Sequence, residues 1–402
     1  MVQLFTKKPR RANTFLRPRN SGLTPSSPRE EGPLRLDRRL VLVTLIFVMA
    51  GLLFTYSSSA FDSVGYFKRQ LLFDAIGLVV ALVLARTYDK LQRLKIFRPM
   101  NLMIVTWVLL VIVLFTRTQA HVHRWIDLGI FKLQPSEIAK VTLVIYMADY
   151  LGRMAGKIGK DWHLLIRPAV VGGITLGLIW AERDLGTPFL MACVLGAMLF
   201  AAGLRLKQVF IPGILGLLFL LHQLFFVSYR RGRILSFLDP FATEGTTGYQ
   251  LSRSFLAVGS GGWFGKGLGN SELKLEYLPA AHTDFIFSVM CEELGLLWAG
   301  FILGGFCYIL IRGVQLARVG KTYTHSLLVF GLTLTICLQA FLNMGMAIGL
   351  LPTKGIALPF FSYGGSSVIM TLAMMGIILN TAAVDRTPAQ LPREGRLTSK
   401  IK

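Results

Sequence analysis

The chain has 402 residues, of which 53% are hydrophobic and 16% charged, and its formal net charge is +22 at pH 7. Soluble domains usually carry about 25% charged residues. Most apolar segments here are apolar on every side, which argues against a large soluble helical core. Several of them approach the roughly 20 residues that cross a bilayer, so the composition predicts an all-α polytopic membrane protein.

Residues 1–39 are polar and rich in Lys, Arg, Pro and Ser, and they lead directly into a long apolar run. This composition predicts a disordered basic tail in the cytoplasm and no cleavable signal peptide. A nucleic-acid interpretation is weakened because no folded recognition module accompanies the basic residues. Contact with anionic lipid is the simpler interpretation of the tail.

Ten apolar segments follow the tail and are predicted to cross the membrane. Their approximate limits are 40–58, 70–86, 99–116, 136–151, 165–181, 187–204, 208–228, 284–311, 326–350 and 364–383. Most of the 43 Lys and Arg residues lie in the termini and in alternate short loops, so the positive-inside rule predicts that both termini are cytoplasmic. The sequence thus predicts one ten-helix membrane domain at 40–384, a cytoplasmic tail at 385–402, and a large periplasmic loop at 229–283 between helices 7 and 8.

The predicted fourth span begins with two ionisable residues, Glu137 and Lys140. Residues three apart in a helix share one face, and ionisable groups within spans almost always face the bundle interior. Two interpretations stay open. The residues form either a structural ion pair that satisfies itself, or a pair that lies beside Asp284 and orients it.

The loop at 229–283 is long for an outer-face connection, which marks it as a candidate functional segment. It carries more cations than anions, although the positive-inside rule depletes cations on this face. Basic side chains at headgroup depth suit a phosphate or pyrophosphate, whereas ordinary contact with lipid headgroups is the alternative. The cations are Arg230, Arg231, Arg233, Arg253, Lys266 and Lys274.

Glycines recur between residues 259 and 269 of this loop. They predict a glycine-rich re-entrant backbone at the membrane surface, and the Lys-Ser/Thr ending of a nucleotide-binding P-loop is missing. A second irregular segment, at 351–365, is rich in Gly and Pro. The two serines that follow it, Ser366 and Ser367, are predicted to contact substrate on the same face.

Asp284 begins the predicted eighth span and is followed at once by apolar residues. One interpretation is a helix cap, a role open also to Thr283. The other is a general base, because a carboxylate at an apolar–water boundary with cations nearby suits proton transfer. His282 is either a second candidate for the base or a hydrogen-bonding neighbour of Asp284. Glu292 and Glu293, two to three turns deeper, are predicted to have interhelical partners.

Four stretches carry a resemblance to a known family: RWIDLGIFKLQPSEIAK at 124–140, ERDLGTP at 182–188, GLGNSELKLEYLPAAHTDFIFSVMCEELG at 267–295, and LPTKGIALPFFSYGGSS at 351–367. They resemble the signature regions of the SEDS family (shape, elongation, division and sporulation) from about residue 40 to 384. KLEYLP before HTDFIF is similar to the cell-division, FtsW-like branch, whereas the elongation, RodA-like branch usually has a Gln-rich version. Ala280 and Arg183 depart from the Glu and Pro that the family commonly has there.

The resemblance implies a peptidoglycan glycosyltransferase of the inner membrane that polymerises lipid II on the periplasmic face at the division septum. Asp284 matches the family's catalytic Asp, which would act as general base on the 4-hydroxyl of the acceptor GlcNAc, with inversion at the anomeric carbon. Glu137 and Lys140 match the conserved pair of the fourth span. Arg230 and Arg233 match the conserved arginines of the loop.

In this scheme Arg230, Arg233 and Lys274, or a divalent cation such as Mg²⁺ or Mn²⁺, would stabilise the pyrophosphate leaving group. No other cofactor is implied. The implied partners are an FtsI-like class B penicillin-binding protein, which supplies the transpeptidase, and other divisome proteins. Three alternatives are a lipid II flippase that uses the same intramembrane charges, an elongation-type polymerase, and a structural divisome scaffold.

Overall fold

Apolar helices make up most of the described chain. The computed structural model of the protein describes residues 36–59, 64–116, 124–127, 129, 132–158, 161–204, 208, 216, 237–242, 248–271 and 283–381. The helices are α1 (Arg38–Ser59), α2 (Val64–Leu91), α3 (Pro99–Leu114), α4 (Pro135–Arg153), α5 (Ile166–Ala181), α6 (Gly186–Ala201), α7 (Tyr249–Ser260), α8 (Ile286–Arg318), α9 (Tyr323–Ala347) and α10 (Gly365–Thr381). Two short strands, β1 (Ile126–Asp127) and β2 (Lys132–Leu133), pair antiparallel just before α4.

Among the described residues, five helices are long and apolar enough to cross a membrane: α1, α2, α5, α8 and α9. Three more, α3, α6 and α10, are apolar but shorter. These helices and the more polar α4 coincide with nine of the predicted spans. The predicted span at 208–228 lies outside the described residues, apart from positions 208 and 216, as do both predicted tails except residues 36–39.

The helix that carries the Glu137–Lys140 pair, α4, lies in the interior of the bundle. Nearly all of α4 is buried, including Glu137 and Lys140, and α9 packs beside it with most of its side chains covered. By contrast, α2 and α3 expose large apolar residues such as Val79 and Val105, as helices that face lipid do. The polar face of α4 is therefore directed into the protein, as expected for ionisable groups in a span.

Small residues let α2 and α10 approach closely, an arrangement common between membrane helices. A Cβ added to Gly376 of α10 would lie 2.4 Å from the carbonyl oxygen of Ala81 in α2. At the other end of the pair, the Gln70 side chain accepts the N–H of Gly364 at 3.4 Å. This packing fixes the start of α10 beside the cavity described below.

The helix α8 is broken at Gly295, whose backbone is far from helical (φ 75°, ψ −175°). The break separates an upper segment, residues 286–294, from a lower segment, residues 296–318. The glycine-rich turn at 261–267, which follows α7, packs against the break. The glycine-rich backbone thus packs closely on α8, whereas its re-entry into the membrane stays a prediction. Neither α7 nor the break was predicted.

Candidate active site

A cavity of about 250 Å³ lies where the starts of α4 and α10, the residues just before α8, and the segment after α9 meet. Of the residues predicted to form the site, Glu137, Lys140, Thr283, Asp284 and Ser367 all line it. Its other lining residues are Arg124, Trp125, Gln134, Thr187, Leu190, Gln339, Gly355, Ile356, Ala357, Tyr363 and Gly364. One cavity therefore unites side chains that are more than 200 positions apart in the sequence.

The first two turns of α4 supply a buried ion pair to this cavity. Pro135 occupies the start of the helix, where its missing N–H costs nothing. Lys140 Nζ lies 2.9 Å from Glu137 Oε1 and 2.8 Å from Oε2, and it donates to Gln339 Oε1 at 2.5 Å. The lysine is thus held by two elements, α4 and α9.

Two amide side chains of α9 hold the segment that closes the cavity. Gln339 and Asn343 lie one helical turn apart on the same face. Gln339 Nε2 donates to the Ala357 carbonyl at 2.9 Å. Asn343 Nδ2 donates to the carbonyls of Ile356 at 2.7 Å and Asp284 at 2.9 Å. The backbone of Asp284 is therefore fixed to the same helix that contacts Lys140.

The carboxylate of Asp284 has a guanidinium as a neighbour across Gly355. A Cβ at residue 355 would lie 3.3 Å from Asp284 Oδ2 and 3.0 Å from Arg124 Nη1. A side chain there would push between the two charged groups. Glycine at this position leaves room for the cation and the anion to act on the same ligand.

Arg124 is in turn oriented by the turn between α5 and α6. Its Nη2 lies 3.5 Å from Asp184 Oδ1, and the buried Asp184 carboxylate accepts the backbone N–H of Gly186 at 2.9 Å and the Thr187 hydroxyl at 2.8 Å. A carboxylate at a helix start is favoured by the exposed N–H groups and the helix dipole. The ERDLGTP motif thus builds a rigid anionic support for Arg124.

Two neighbours of Asp184 complete this turn. Both carboxyl oxygens of Glu182 are buried without a hydrogen-bond partner among the described residues. Burial and the nearby Asp184 raise the pKa of Glu182 to about 9, although Arg124 opposes the rise. Arg183 has φ 62°, a conformation closed to proline. The departure from the family's usual proline therefore accompanies a different backbone shape here.

The remaining predicted residues fall into two groups. Thr283 is held through its carbonyl, which accepts the Ser362 hydroxyl at 2.7 Å. Ser366 donates to the Lys132 carbonyl at 2.9 Å and accepts the N–H of Gln134 at 3.1 Å, so it ties α10 to β2 and the start of α4. Four predicted residues lie outside the described part of the chain: Arg230, Arg233, Lys274 and His282.

The N-cap position of α8 is occupied by Phe285, not by Thr283 or Asp284. Of the two deeper carboxylates, Glu293 has the interhelical partner expected of it, whereas the ion-pair partner of Glu292 lies in the turn that follows α7. Glu292 accepts from Lys266 Nζ at 3.0 Å, and Glu293 accepts from the hydroxyl of Ser57 in α1 at 2.6 Å. Among the described residues, no group of three or more His, Cys, Asp or Glu side chains could hold a metal ion.

Sequence reasoning missed Arg124, Asp184, Gln339 and Asn343 as parts of the site. Arg124 stands at the head of the RWIDLG motif, and its place beside a tryptophan on the predicted outer face was an available signal. Gln339 and Asn343 share the i, i+4 spacing of one helix face within an otherwise apolar helix. That spacing indicates a polar contact inside the bundle.

Comparison with known proteins gives consistent findings. The FtsW/RodA/SpoVE family model, described as a cell cycle protein, matches residues 37–387. The chain is 37% identical to a probable peptidoglycan glycosyltransferase FtsW of Saccharophagus degradans, over 87% of this chain and 92% of the relative. It is 39% identical to the protein of the same description from Alkalilimnicola ehrlichii, over 89% and 92% of the two chains.

Two solved structures are similar as well. One is a chain from work described as "Structural coordination of polymerization and crosslinking by a peptidoglycan synthase complex", with a TM-score of 0.73 and 28% identity over 87% of this chain and 98% of that chain. The other is the rod shape determining protein RodA of Thermus thermophilus, with a TM-score of 0.65 and 26% identity over 87% and 97%. The described fold is therefore shared with these proteins.

Proposed function

We propose, because this chain belongs to the FtsW/RodA/SpoVE family of cell cycle proteins, that it is a peptidoglycan glycosyltransferase which polymerises lipid II during septal cell-wall synthesis. Its relatives are described by that activity, and the similarity covers 92% of the length of the two compared above. The observation that carries the proposal is the single cavity that unites Asp284, Arg124 and the Glu137–Lys140 pair. Together they supply a base, a cation and an oriented ion pair.

In the proposed reaction, Asp284 accepts the proton from the 4-hydroxyl of the acceptor GlcNAc. The oxygen then forms a bond to the anomeric carbon of the growing strand, and the bond from that carbon to undecaprenyl pyrophosphate breaks. One displacement inverts the anomeric centre. The Asn343 contact to the Asp284 backbone supports this role, because a general base must be held within hydrogen-bond reach of the proton it takes.

Negative charge develops on the leaving pyrophosphate, and cations stabilise it. Arg124, beside Asp284 across Gly355, suits this task because a guanidinium binds phosphate oxygens bidentately. Arg230, Arg233 and Lys274 of the outer loop would add charge from outside the described residues. A divalent ion such as Mg²⁺ or Mn²⁺, brought by the pyrophosphate, is part of the proposal and is tested by polymerisation with and without a chelator.

The Glu137–Lys140 pair and Gln339 have a supporting role in this scheme. Lys140 contacts Gln339, and Gln339 holds the carbonyl of Ala357, one residue beyond the Asn343 contact to Ile356. The pair therefore stabilises the segment that forms one wall of the cavity. Ser367 lines the same cavity and supplies a hydroxyl for the sugar or the diphosphate.

The proposed setting is the bacterial inner membrane at the division septum. Ten spans, cytoplasmic termini and a periplasmic loop at 229–283 would put the cavity on the outer face. The long apolar helices of the described chain support a multi-pass protein. A class B penicillin-binding protein is the proposed partner, because one similar chain comes from a complex that couples polymerisation to crosslinking.

A lipid II flippase is the alternative function. In a transporter with broken helices, the backbone carbonyls at the breaks bind ligands. Here the carbonyls of Glu292 and Glu293, at the break in α8, instead accept backbone N–H groups of the turn at 261–267.

The test is Asp284→Asn in the full-length protein, purified alone and with its class B penicillin-binding protein and supplied with fluorescent lipid II. Loss of a general base lowers a rate by about 10²- to 10⁴-fold. Gel electrophoresis of the products should therefore show no fluorescent glycan strands. Asp149→Asn is the matched control, because Asp149 pairs with Arg153 at the other end of α4. Polymerisation at the wild-type rate by Asp284→Asn would refute the proposed function.

A further inference from the structure

The break in α8 is sealed by backbone groups from the turn at 261–267. In a continuous helix the N–H groups of Leu296 and Leu297 would bond the carbonyls of Glu292 and Glu293. Here Leu296 and Leu297 donate instead to the carbonyls of Gly262 at 2.9 Å and Trp263 at 3.3 Å. The carbonyls of Glu292 and Glu293 accept the N–H groups of Lys266 and Gly267, both at 2.9 Å.

This exchange satisfies the polar backbone that the break exposes. Non-helical backbone at membrane depth is tolerated only where it is buried in protein or lines a water-filled cavity. Glycine makes the close approach possible. A Cβ on Gly265 would lie 2.2 Å from the Glu293 carbonyl oxygen, and one on Gly295 would lie 2.5 Å from the backbone nitrogen of Gly265.

Side chains fasten the same turn to the upper segment of α8. The fully buried Glu292 carboxylate accepts from Lys266 Nζ at 3.0 Å and from the hydroxyls of Ser260 and Ser271. One helical turn higher, the Ser288 hydroxyl lies 2.6 Å from that of Ser254 in α7. The upper segment is therefore bonded to α7 and the residues that follow it at three positions, 288, 292 and 293.

The upper segment begins at Ile286, two residues after Asp284. Its hydrogen bonds to the lower segment of α8 are interrupted at Gly295 and replaced by bonds to the turn. We propose that the turn at 261–267, with the Lys266–Glu292 pair, is a positioning device that sets where Asp284 stands in the cavity. Lys266 and Glu292 are thus positioning residues for glycosyl transfer, an inference that rests on the proposed function of Asp284.

The expected effect follows from the geometry of proton transfer. A displacement of about 1 Å at a reacting group can lower a rate by about a hundredfold. Loosening the turn should therefore lower kcat for lipid II polymerisation while KM changes little, because the remaining lining of the cavity is intact. A merely structural role would reduce the amount of folded protein and leave kcat per folded molecule unchanged.

The experiment compares Lys266→Met, Lys266→Arg and Gly295→Ala in the full-length protein with its penicillin-binding partner. Gly300→Ala is the matched control, since Gly300 lies in the lower segment of α8 and a Cβ there meets nothing within 4 Å. Polymerisation gives kcat and KM. Hydrogen–deuterium exchange of residues 286–297 measures how firmly the turn holds α8, and it does not depend on activity.

Lys266→Met should lower kcat by about tenfold or more and speed exchange at 286–297, Lys266→Arg should regain most of the rate, and Gly300→Ala should match wild type. Gly295→Ala should resemble Lys266→Met. Two results would overturn the positioning role even if Asp284→Asn lacks activity. One is a wild-type kcat in both Lys266→Met and Gly295→Ala. The other is a reduced kcat in these variants with unchanged hydrogen–deuterium exchange at 286–297. If Asp284→Asn itself retained the wild-type rate, the proposed function would fail first.

Discussion

Two Glu–Lys ion pairs support Asp284 in the proposed scheme, and they are built differently. Glu137 and Lys140 lie three residues apart in α4, and both side chains are less than 10% exposed. Glu292 and Lys266 lie 26 residues apart, in α8 and the preceding turn, and Lys266 is 29% exposed. The first pair faces the cavity, whereas the second fastens a loop to a helix break.

This difference determines how much stability is lost when one partner of each pair is removed. When both ions are buried, removing one leaves the other uncompensated in a medium of low dielectric constant, which is strongly destabilising. When one ion reaches solvent, water replaces part of the lost interaction. The local pair should therefore govern stability and cavity shape together, and the long-range pair should govern mainly where the upper segment of α8 lies.

The largest effect is expected for Lys140→Met, which strips Glu137 and Gln339 of their shared partner. Breaking a buried pair costs about 3–5 kcal/mol, so the free energy of unfolding should fall by that amount and polymerisation should be lost. Denaturant unfolding in detergent micelles measures the first effect. The double variant Glu137→Gln/Lys140→Met should regain stability without activity, and activity in that double variant would contradict a role for the pair in the site.

A pH effect is expected from Glu182, a buried carboxyl whose two oxygens have no hydrogen-bond partner among the described residues. Its pKa is raised to about 9 in the folded state, above its unfolded value, so folding takes up a proton between those values. Stability should therefore decrease as pH rises from about 4.5 towards 9, by up to about 1.4 kcal/mol per pH unit. Thermal unfolding across this range should give a flatter profile for Glu182→Gln, and an equal slope in both proteins would contradict it.

The smallest effect is expected for Ser57→Ala, which extends the comparison to the neighbouring Glu293. This buried carboxylate accepts the Ser57 hydroxyl at 2.6 Å and 2.8 Å and has further interactions. Removing one donor should therefore lower the free energy of unfolding by only about 1 kcal/mol. Ser58→Ala is the control, because that hydroxyl bonds a carbonyl of its own helix; equal losses in the two variants would contradict the prediction.

The sequence predicted the parts of this site that depend on local patterns. The membrane helices follow from long apolar runs, and Glu137 and Lys140 follow from helical spacing within one of them. Asp284 stood out as an acid before an apolar run; this setting left a helix cap and a general base open, and the family resemblance favoured the general base. Arg124 was missed because its neighbours, Asp184 and Gly355, are far from it in the sequence, and no local pattern connects them to it.

The break at Gly295 was missed for a different reason. One glycine inside a long apolar helix is tolerated and gives no clear signal. The groups that seal the break are backbone N–H and C=O groups, which every residue except proline supplies in full. Only the cluster of glycines in the loop indicated a close approach of backbone, and their spacing did not identify the partner.

The sealed break also constrains how the protein is made. The turn at 261–267 precedes α8 in the chain, so it leaves the ribosome first, yet it gains its hydrogen bonds only after residues 292–297 have arrived. Until then the polar backbone at Gly295 is stable in the membrane only if α8 forms a continuous helix. The kinked form therefore requires the turn and residues 292–297 to be present together, and the upper segment of α8, adjacent to Asp284, takes its final place only when the turn docks.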